Sequence, residues 1–500
     1  MTPDRKLPLY AAIASIGTLC AGNAEAVNLS PDGRGQVLLY PYYTTRVDLS
    51  GTGSPYGTLL SVINATASTK AVRVRFLEGK NSREVLDFNL FLSPFDVWTG
   101  AVLPDPANGG ARLGTADVSC TLPSFTVGNP TAPYIGFSNA SYAGANDDGA
   151  GTGLDRNREG YFEIIEMATY ASTSTTGVAV THVNGIPPCG SKLTDEQAMA
   201  DARVPTGGLF GGLTLINVNT GTDYTADAVA LANFNQAGAN YQAAVSNLPD
   251  LTQATPPVSS IHGPDGRLYE STWSAGTADP VSAILMHDSV MNEYVLDQAT
   301  FSGTDWVVTM PTKRYYVANG TGNAPKLFQR NFNGTNGSCD DARELLPFSC
   351  IHIPDGVYNR EERTPSSPLC FPEPPPSFLP VMGCWVANVS TFNSSNVLGS
   401  TNLRSVDPGF QNGWLNLQPS LDIVGASPTV HRLINVAATS VSGGGKPWTT
   451  SNTVTYVGLP IIGFGVISFY NGTLKVGTPP VTVLSNYGGN FVHKFNTTIQ

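Results

Sequence analysis

From Gly57 to Val102 apolar and polar residues alternate with period two, and this alternation constrains the chain more than any other feature. In AVRVRF, Val72, Val74 and Phe76 alternate with Arg73 and Arg75; in VLDFNLFL, Leu86, Phe88, Leu90 and Leu92 alternate with Asp87 and Asn89. Successive strand side chains point to opposite faces, so each segment has one face for a core and one nearer water. LLYPYYTT and TLLSVIN precede them, and four or more strands at such close intervals favour a sandwich over a helical or α/β unit. The expected fold is mainly β: immunoglobulin-like or larger antiparallel β-sandwich units with a few short helices.

Turn chemistry and the later segments agree. Pro-Asp-Gly occurs at Pro31 to Gly33, Pro264 to Gly266 and Pro354 to Gly356, where proline presets φ and glycine accepts positive φ. Thr194 followed by Gln197 predicts a capped helix over Asp195 to Arg203. Asp279-Pro280 suits the start of a second helix, over VSAILMHDSVMNEYVL, where Ile284, Met291 and Val295 share a face. TDWVVTM returns to strand, with Trp306, Val308 and Met310 opposite Val307 and Thr309. The organisation expected is 27–120 as an N-terminal sandwich, 121–365 as a central β-rich region with short helices, 366–380 as a Pro-rich connector and 381–500 as a C-terminal β region.

The compartment follows from residues 1–26. Arg5 and Lys6 precede an apolar run from Leu7 to Ala21, and Ala24-Glu25-Ala26 supplies the small-x-small pattern of a signal-peptidase site. Export to the cell surface or medium is expected, with the periplasm as the alternative. Charged residues make up only 13% of the chain, so Ser, Thr, Asn and Gly must build the polar surface. A formal charge of -11, with no Lys/Arg stripe beyond the doublet Lys313-Arg314, argues against a nucleic-acid partner. No later apolar run is long enough for a membrane-spanning helix. Once Cys20 leaves with the signal, Cys120, Cys189, Cys339, Cys350, Cys370 and Cys384 remain, an even set that reads as disulfides in an oxidising compartment. Sequence proximity pairs Cys339 with Cys350, Cys370 with Cys384, and Cys120 with Cys189. A rival reading takes Cys339, Cys350 and His352 as zinc ligands, although their spacing matches no CxxC knuckle.

One segment follows a chemical template by position. DRNREGYFEIIE, Asp155 to Glu166, has the D-x-N-x-E-G spacing of a calcium loop with a carboxylate at position 12. In that reading Asp155, Asn157, Glu159 and Glu166 are side-chain ligands, and Tyr161 offers its carbonyl. The other reading is an acidic hairpin loop whose Arg and Glu side chains pair with one another or with solvent. Enzyme signatures such as GxSxG, HExxH and the P-loop are absent, and His287, Asp288 and Ser289 would diverge on a helix rather than form a triad. Tyr40, Tyr42 and Tyr43, with Tyr315 and Tyr316, are candidates for stacking on sugars, although alternation favours a core role for Tyr40 and Tyr42.

VNLSPDGRGQVLLYPYYTT, NSREVLDFNLFLSPFDVWTGAV, REGYFEIIEM, TDWVVTMPTKR and LSNYGGNFVHKFN together resemble a family of uncharacterised secreted or cell-surface proteins of Gram-negative bacteria. The resemblance implies export and one integrated protein, and it transfers no activity. The expected function is a non-enzymatic envelope or surface role, structural, adhesive or glycan-contacting, with glycan or envelope components as partners. The alternative is an extracytoplasmic polysaccharide hydrolase with Asp or Glu catalysts defined only by their distance in the fold.

Overall fold

The computed structural model describes residues 26–47, 53–125, 134–317, 327–328, 331–334, 337, 356–364, 384–419, 421–424, 427–443, 446–451 and 453–500. The chain is mainly β, with α1 (Thr175–Val180), α2 (Asp195–Asp201) and α3 (Asp279–Ile284) as its α-helices among the described residues. Its first thirteen strands are β1 (Asn28–Leu29), β2 (Val37–Thr44), β3 (Gly57–Asn64), β4 (Thr69–Glu78), β5 (Glu84–Leu92), β6 (Val97–Pro104), β7 (Ala111–Gly114), β8 (Thr121–Leu122), β9 (Tyr134–Gly136), β10 (Glu159–Tyr170), β11 (Leu209–Asn217), β12 (Thr222–Asp227) and β13 (Val229–Ala232). They form a seven-stranded sheet, β1-β13-β2-β10-β4-β5-β8, and a six-stranded sheet, β12-β11-β3-β6-β7-β9.

The alternating residues do what their spacing requires. Val72, Val74, Phe76, Phe88 and Leu90 of the seven-stranded sheet meet Leu60, Val62, Trp98, Leu113 and Leu213 of the six-stranded one in a single core. Tyr40, Tyr42 and Tyr43 are fully buried there, and the Tyr40 and Phe162 rings stack at 4.1 Å between centroids. Two expectations change. The sandwich does not close at residue 120, because β10 lies at the centre of its larger sheet, between β2 and β4. Nor does β4 turn Arg73 and Arg75 toward water: all ten of its residues are buried, because later segments cover the outer face of the seven-stranded sheet.

The C-terminal half shares this core. Strand Ser302–Thr309 pairs between Ala387–Phe392 and Ile462–Val476 in a five-stranded sheet. Its Val307 joins Val389, Phe464 and Val466 in the first core, whereas Trp306, Val308 and Met310 face a second core with Val290, Tyr294 and Leu415. The alternation expected of TDWVVTM is therefore present, with apolar partners on both sides. Thr309 Oγ1 donates to Pro41 O at 2.6 Å, tying this strand to β2.

Helix α2 begins as its capping pattern requires, Thr194 Oγ1 accepting from Gln197 N at 3.2 Å. The second expected helix is corrected: α3 ends at Ile284, and Met286–His287 and Ser289–Val295 are strands. Ser289–Val295 pairs with Asn412–Leu417 on one side and Lys494–Asn496 on the other, burying Val290 and Tyr294. Two ladders outweigh an imperfect helical stripe. The turns at Pro31–Gly33 and Pro264–Gly266 form with φ of 74° at both Gly33 and Gly266.

Cys120 and Cys189 are joined, a cross-link over 69 residues, which in the chain-entropy picture contributes about 4 kcal/mol. Cys384 is also disulfide-bonded. Cys339, Cys350, Cys370 and His352, the Pro-rich 366–380 segment and residues 1–25 lie outside the described residues.

His493 seals the contact between the second-half sheets. Its Nε2 lies 3.0 Å from Val307 O and its Nδ1 3.0 Å from Asn292 Nδ2, which assigns a neutral ring donating through Nε2. Burial holds its pKa down at about 4, against a weaker upward pull from the Val307 carbonyl. With the folded value below the unfolded one, the ring's contribution is intact above the ordinary histidine pKa and is lost as pH falls toward about 4. His493→Gln keeps a donor and an acceptor but cannot be protonated. Its stability deficit relative to wild type, measured by urea unfolding, is expected to shrink by about 2 kcal/mol between pH 7 and pH 5. A deficit independent of pH would refute this assignment.

Candidate functional site

The acidic segment from Asp155 to Glu166 does not curl into a loop but runs from a short turn into a strand. Residues Leu154–Arg158 make a short 3-10 turn, and from Glu159 onward the chain is the strand β10. Seven residues of extended chain separate Glu159 from Glu166 by roughly 20 Å. The structure therefore does not bring Asp155, Asn157, Glu159, Tyr161 and Glu166 together around one point.

Each has its own partners. Glu159 Oε1 accepts from Arg46 Nε (3.1 Å), Thr401 N (3.0 Å) and Thr401 Oγ1 (2.7 Å), and Oε2 from Tyr42 OH (2.8 Å) and Ser400 Oγ (2.5 Å). Burial pushes its pKa up, but Arg46 and the Ser400 and Thr401 donors hold it below the ordinary carboxylate value. Asp155, largely exposed, accepts Arg46 Nη1 on both oxygens at 2.8 and 2.7 Å. Asn157 Oδ1 accepts from Ala111 N at 2.9 Å, and the Tyr161 hydroxyl bonds Ser82 Oγ at 3.0 Å. Glu166 Oε1 accepts from Lys70 Nζ (2.5 Å) and Thr206 N (3.1 Å), and Oε2 from Gly207 N (2.7 Å). Burial raises the Glu166 pKa in spite of Lys70. Arg156, second in the template, bridges Glu78 and Asp148 at 2.6 to 3.0 Å. Among the described residues no three His, Cys, Asp or Glu side chains gather as a metal-binding group.

The arrangements that resemble catalytic sets are also structural. Ser93 Oγ lies 2.6 Å from His182 Nδ1, but Asp96 Oδ2 faces the same nitrogen at 3.5 Å. A relay needs the acid and the nucleophile on opposite ring nitrogens. His287 and Ser289 sit on two strands, with Asp288 at the bend between them, and the three turn to different partners: Thr497, Asn416 and Thr498 in that order.

One open feature is a trough of about 840 Å³ along the outer face of the six-stranded sheet. The residues between the inward-facing Leu60, Val62, Trp98 and Leu213 point outward here. In register, Phe210 faces Ile63 and Ile63 faces Val97; Gly212 faces Ser61 and Ser61 faces Thr99; Thr214 faces Leu59 and Leu59 faces Ala101. Gly212 leaves the floor without a side chain. Gly114 does so differently: a Cβ there would stand 2.5 Å from the Tyr134 ring, so the ring lies flat across it. The Arg112 guanidinium covers that ring at 3.8 Å from its centroid. Phe210 and Tyr134 remain 39% and 42% exposed, Phe210 directly and Tyr134 beneath Arg112, beside a floor of Ser61, Thr99 and Thr214. Asp227 is the one carboxylate in the lining among the described residues.

Neither ring was among the candidates named from the sequence. Tyr40, Tyr42 and Tyr43 are core, Tyr315 OH accepts from Leu251 N at 3.3 Å, and Tyr316 OH donates to Asp279 Oδ1 at 2.6 Å. The available cue was Phe210-Gly211-Gly212, an aromatic beside paired glycines in a strand. No protein-family model, curated protein or solved structure matches this chain.

Lys70→Met leaves Glu166 buried beside backbone amides alone and is expected to cost about 3 to 5 kcal/mol in chemical unfolding, whereas Lys70→Met with Glu166→Leu is expected to cost less than the sum of the single changes. Because the β10 carboxylates are committed to protein donors, thermal melts in calcium and in EGTA are expected to coincide. A calcium-dependent rise of several degrees, abolished by Glu159→Gln, would restore the metal reading.

Proposed function

We propose that this is an exported, non-enzymatic envelope or cell-surface protein that contacts glycan chains through the trough of its six-stranded sheet. The observation that carries the reading is the pair of half-exposed rings, Phe210 and Tyr134, flanking a hydroxyl-lined floor cleared by Gly212 and Gly114. Sugar rings present C–H faces that pack on aromatic surfaces, and Ser61, Thr99, Thr225 and Asp227 supply donors and acceptors for their hydroxyls. The openness of the trough suits a chain entering and leaving rather than a small molecule enclosed. Export is supported by the apolar N-terminal run with its small-x-small site and by the Cys120–Cys189 cross-link. Glycoside hydrolysis needs two carboxyl groups about 5 to 9.5 Å apart, and among the described residues the trough lining contributes Asp227 alone.

Titration calorimetry against purified cell-envelope and extracellular polysaccharides tests this. Phe210→Ala and Tyr134→Ala are each expected to weaken binding about ten-fold, the size of one lost aromatic contact, while melting stays near that of wild type. Unchanged affinity in both variants, or no binding to any polysaccharide by the wild type, would remove the trough as the glycan site.

A further inference from the structure

We propose that the hairpin arm of residues 471–484 docks the protein onto a lipid bilayer carrying anionic headgroups. Strands Ile462–Val476 and Val481–Val492 form one ladder whose inner part is packed into the protein. Every residue from Asn471 to Leu484 is exposed, yet the pairs Leu474–Val483, Lys475–Thr482 and Val476–Val481 persist. The distal ribbon thus stands clear of the body.

Its two faces differ. Directly paired residues share a face and successive ones alternate, so Leu474, Val476, Val481 and Val483 form one side, exposed by 52%, 53%, 62% and 40%. Lys475 and Thr482 lie on the other. The root is pinned: Asn486 Nδ2 donates to Thr220 O at 2.8 Å, and Asn486 Oδ1 accepts from Gly472 N at 3.2 Å. Leu484 lies over Gly221 in the turn between β11 and β12. The aliphatic face is therefore held in a set direction.

Charge identifies the occupant. No Asp or Glu follows Asp422, although the whole chain carries a formal charge of -11; the later Lys and Arg residues are Arg432, Lys446, Lys475 and Lys494. Lys475 is the only ionisable side chain of the arm. An aliphatic strip with a cation on its reverse suits the boundary between acyl chains and anionic headgroups, where the aliphatics are buried and the lysine amine reaches the phosphates. A protein partner fits less well. Two cross-strand pairs offer far less than the roughly 800 Å² per side of a stable interface, with a second copy as with any other protein. One short apolar strip with one cation implies reversible, salt-sensitive attachment.

The full chain, folded and oxidised, is to be sedimented with vesicles of phosphatidylcholine and phosphatidylglycerol and with phosphatidylcholine alone. Expected is co-sedimentation with the anionic vesicles, falling several-fold in high salt or without phosphatidylglycerol. Val476→Ser with Val481→Ser is expected to cut the bound fraction about five-fold, and Lys475→Gln to remove most of the salt dependence. Wild type remaining in the supernatant, or the double variant binding as wild type does, overturns the proposal. So does a concentration-dependent dimer in light scattering that the double variant abolishes, which would assign the arm to a second copy.

Discussion

The structure depends on three carboxylates buried in one strand. β10 is the central strand of the seven-stranded sheet, and it carries Glu159, Glu163 and Glu166, none more than 1% exposed. Stripping a carboxylate of water costs several kcal/mol unless a cation and further donors replace it, so each constrains what assembles around it. Glu163 stands directly opposite Arg75 of β4, with Arg75 Nη1 at 2.7 Å, and a one-residue slip of β4 would turn that guanidinium to the wrong face. Glu166 draws in Lys70 and the amides of Thr206 and Gly207, fixing the segment that leads into β11. Glu159 takes Arg46 from the end of β2 and Ser400 and Thr401 from the C-terminal half. Its shell is complete only when the two halves are docked, so the sandwich and the later sheets act as one body rather than as linked modules.

This network explains how far the sequence was readable. Period-two alternation located β4, β5 and the strand through Trp306, because it reports which side chains can share a face. It did not report that both faces would be covered, since Arg73 and Arg75 look like solvent-facing residues until Glu163, Glu84 and Asp87 are placed around them. Spacing in DRNREGYFEIIE noticed the right acids and supplied the wrong geometry. An ion loop must curl, whereas YFEIIEM is rich in the aromatic and β-branched residues that favour extended chain. The helix drawn through Met291 failed for a related reason: its strand partners, Asn412–Leu417 and Lys494–Asn496, lie more than a hundred residues away. The trough was least legible, because an outward apolar residue becomes a surface only when cross-strand neighbours join it.

The two halves of the sandwich divide labour by burial. The outer face of the seven-stranded sheet is covered: Val37, Leu39 and Ile165 pack with Leu251, Val281 and Leu285, and Phe91 and Met167 pack with Val180, Ala198 and Tyr241. The six-stranded sheet has no such cover among the described residues over Leu59, Val97 and Phe210. A sheet with one face against a core and the other open can present side chains without disturbing its own packing. Its rigidity comes from the inward row of Leu60, Trp98 and Leu213, so the outward row is free to vary with little effect on folding.

The arm and the trough meet on this same sheet. Asn486 and Leu484 fix the root of the arm against the turn between β11 and β12, and β11 carries Phe210 and Gly212 of the trough floor. Membrane contact through the arm, as proposed, would therefore set the direction in which the trough opens. Neither element needs the other in order to fold, since the trough is framed by β3, β6 and β11 and the arm extends a ladder already paired through Tyr470. A strip of only four aliphatics would hold a bilayer weakly alone, as one open face would hold a flexible polysaccharide. Held rigidly on one body, the two proposed contacts would each raise the effective concentration of the other, and the joint affinity would depend on the fixed angle between them.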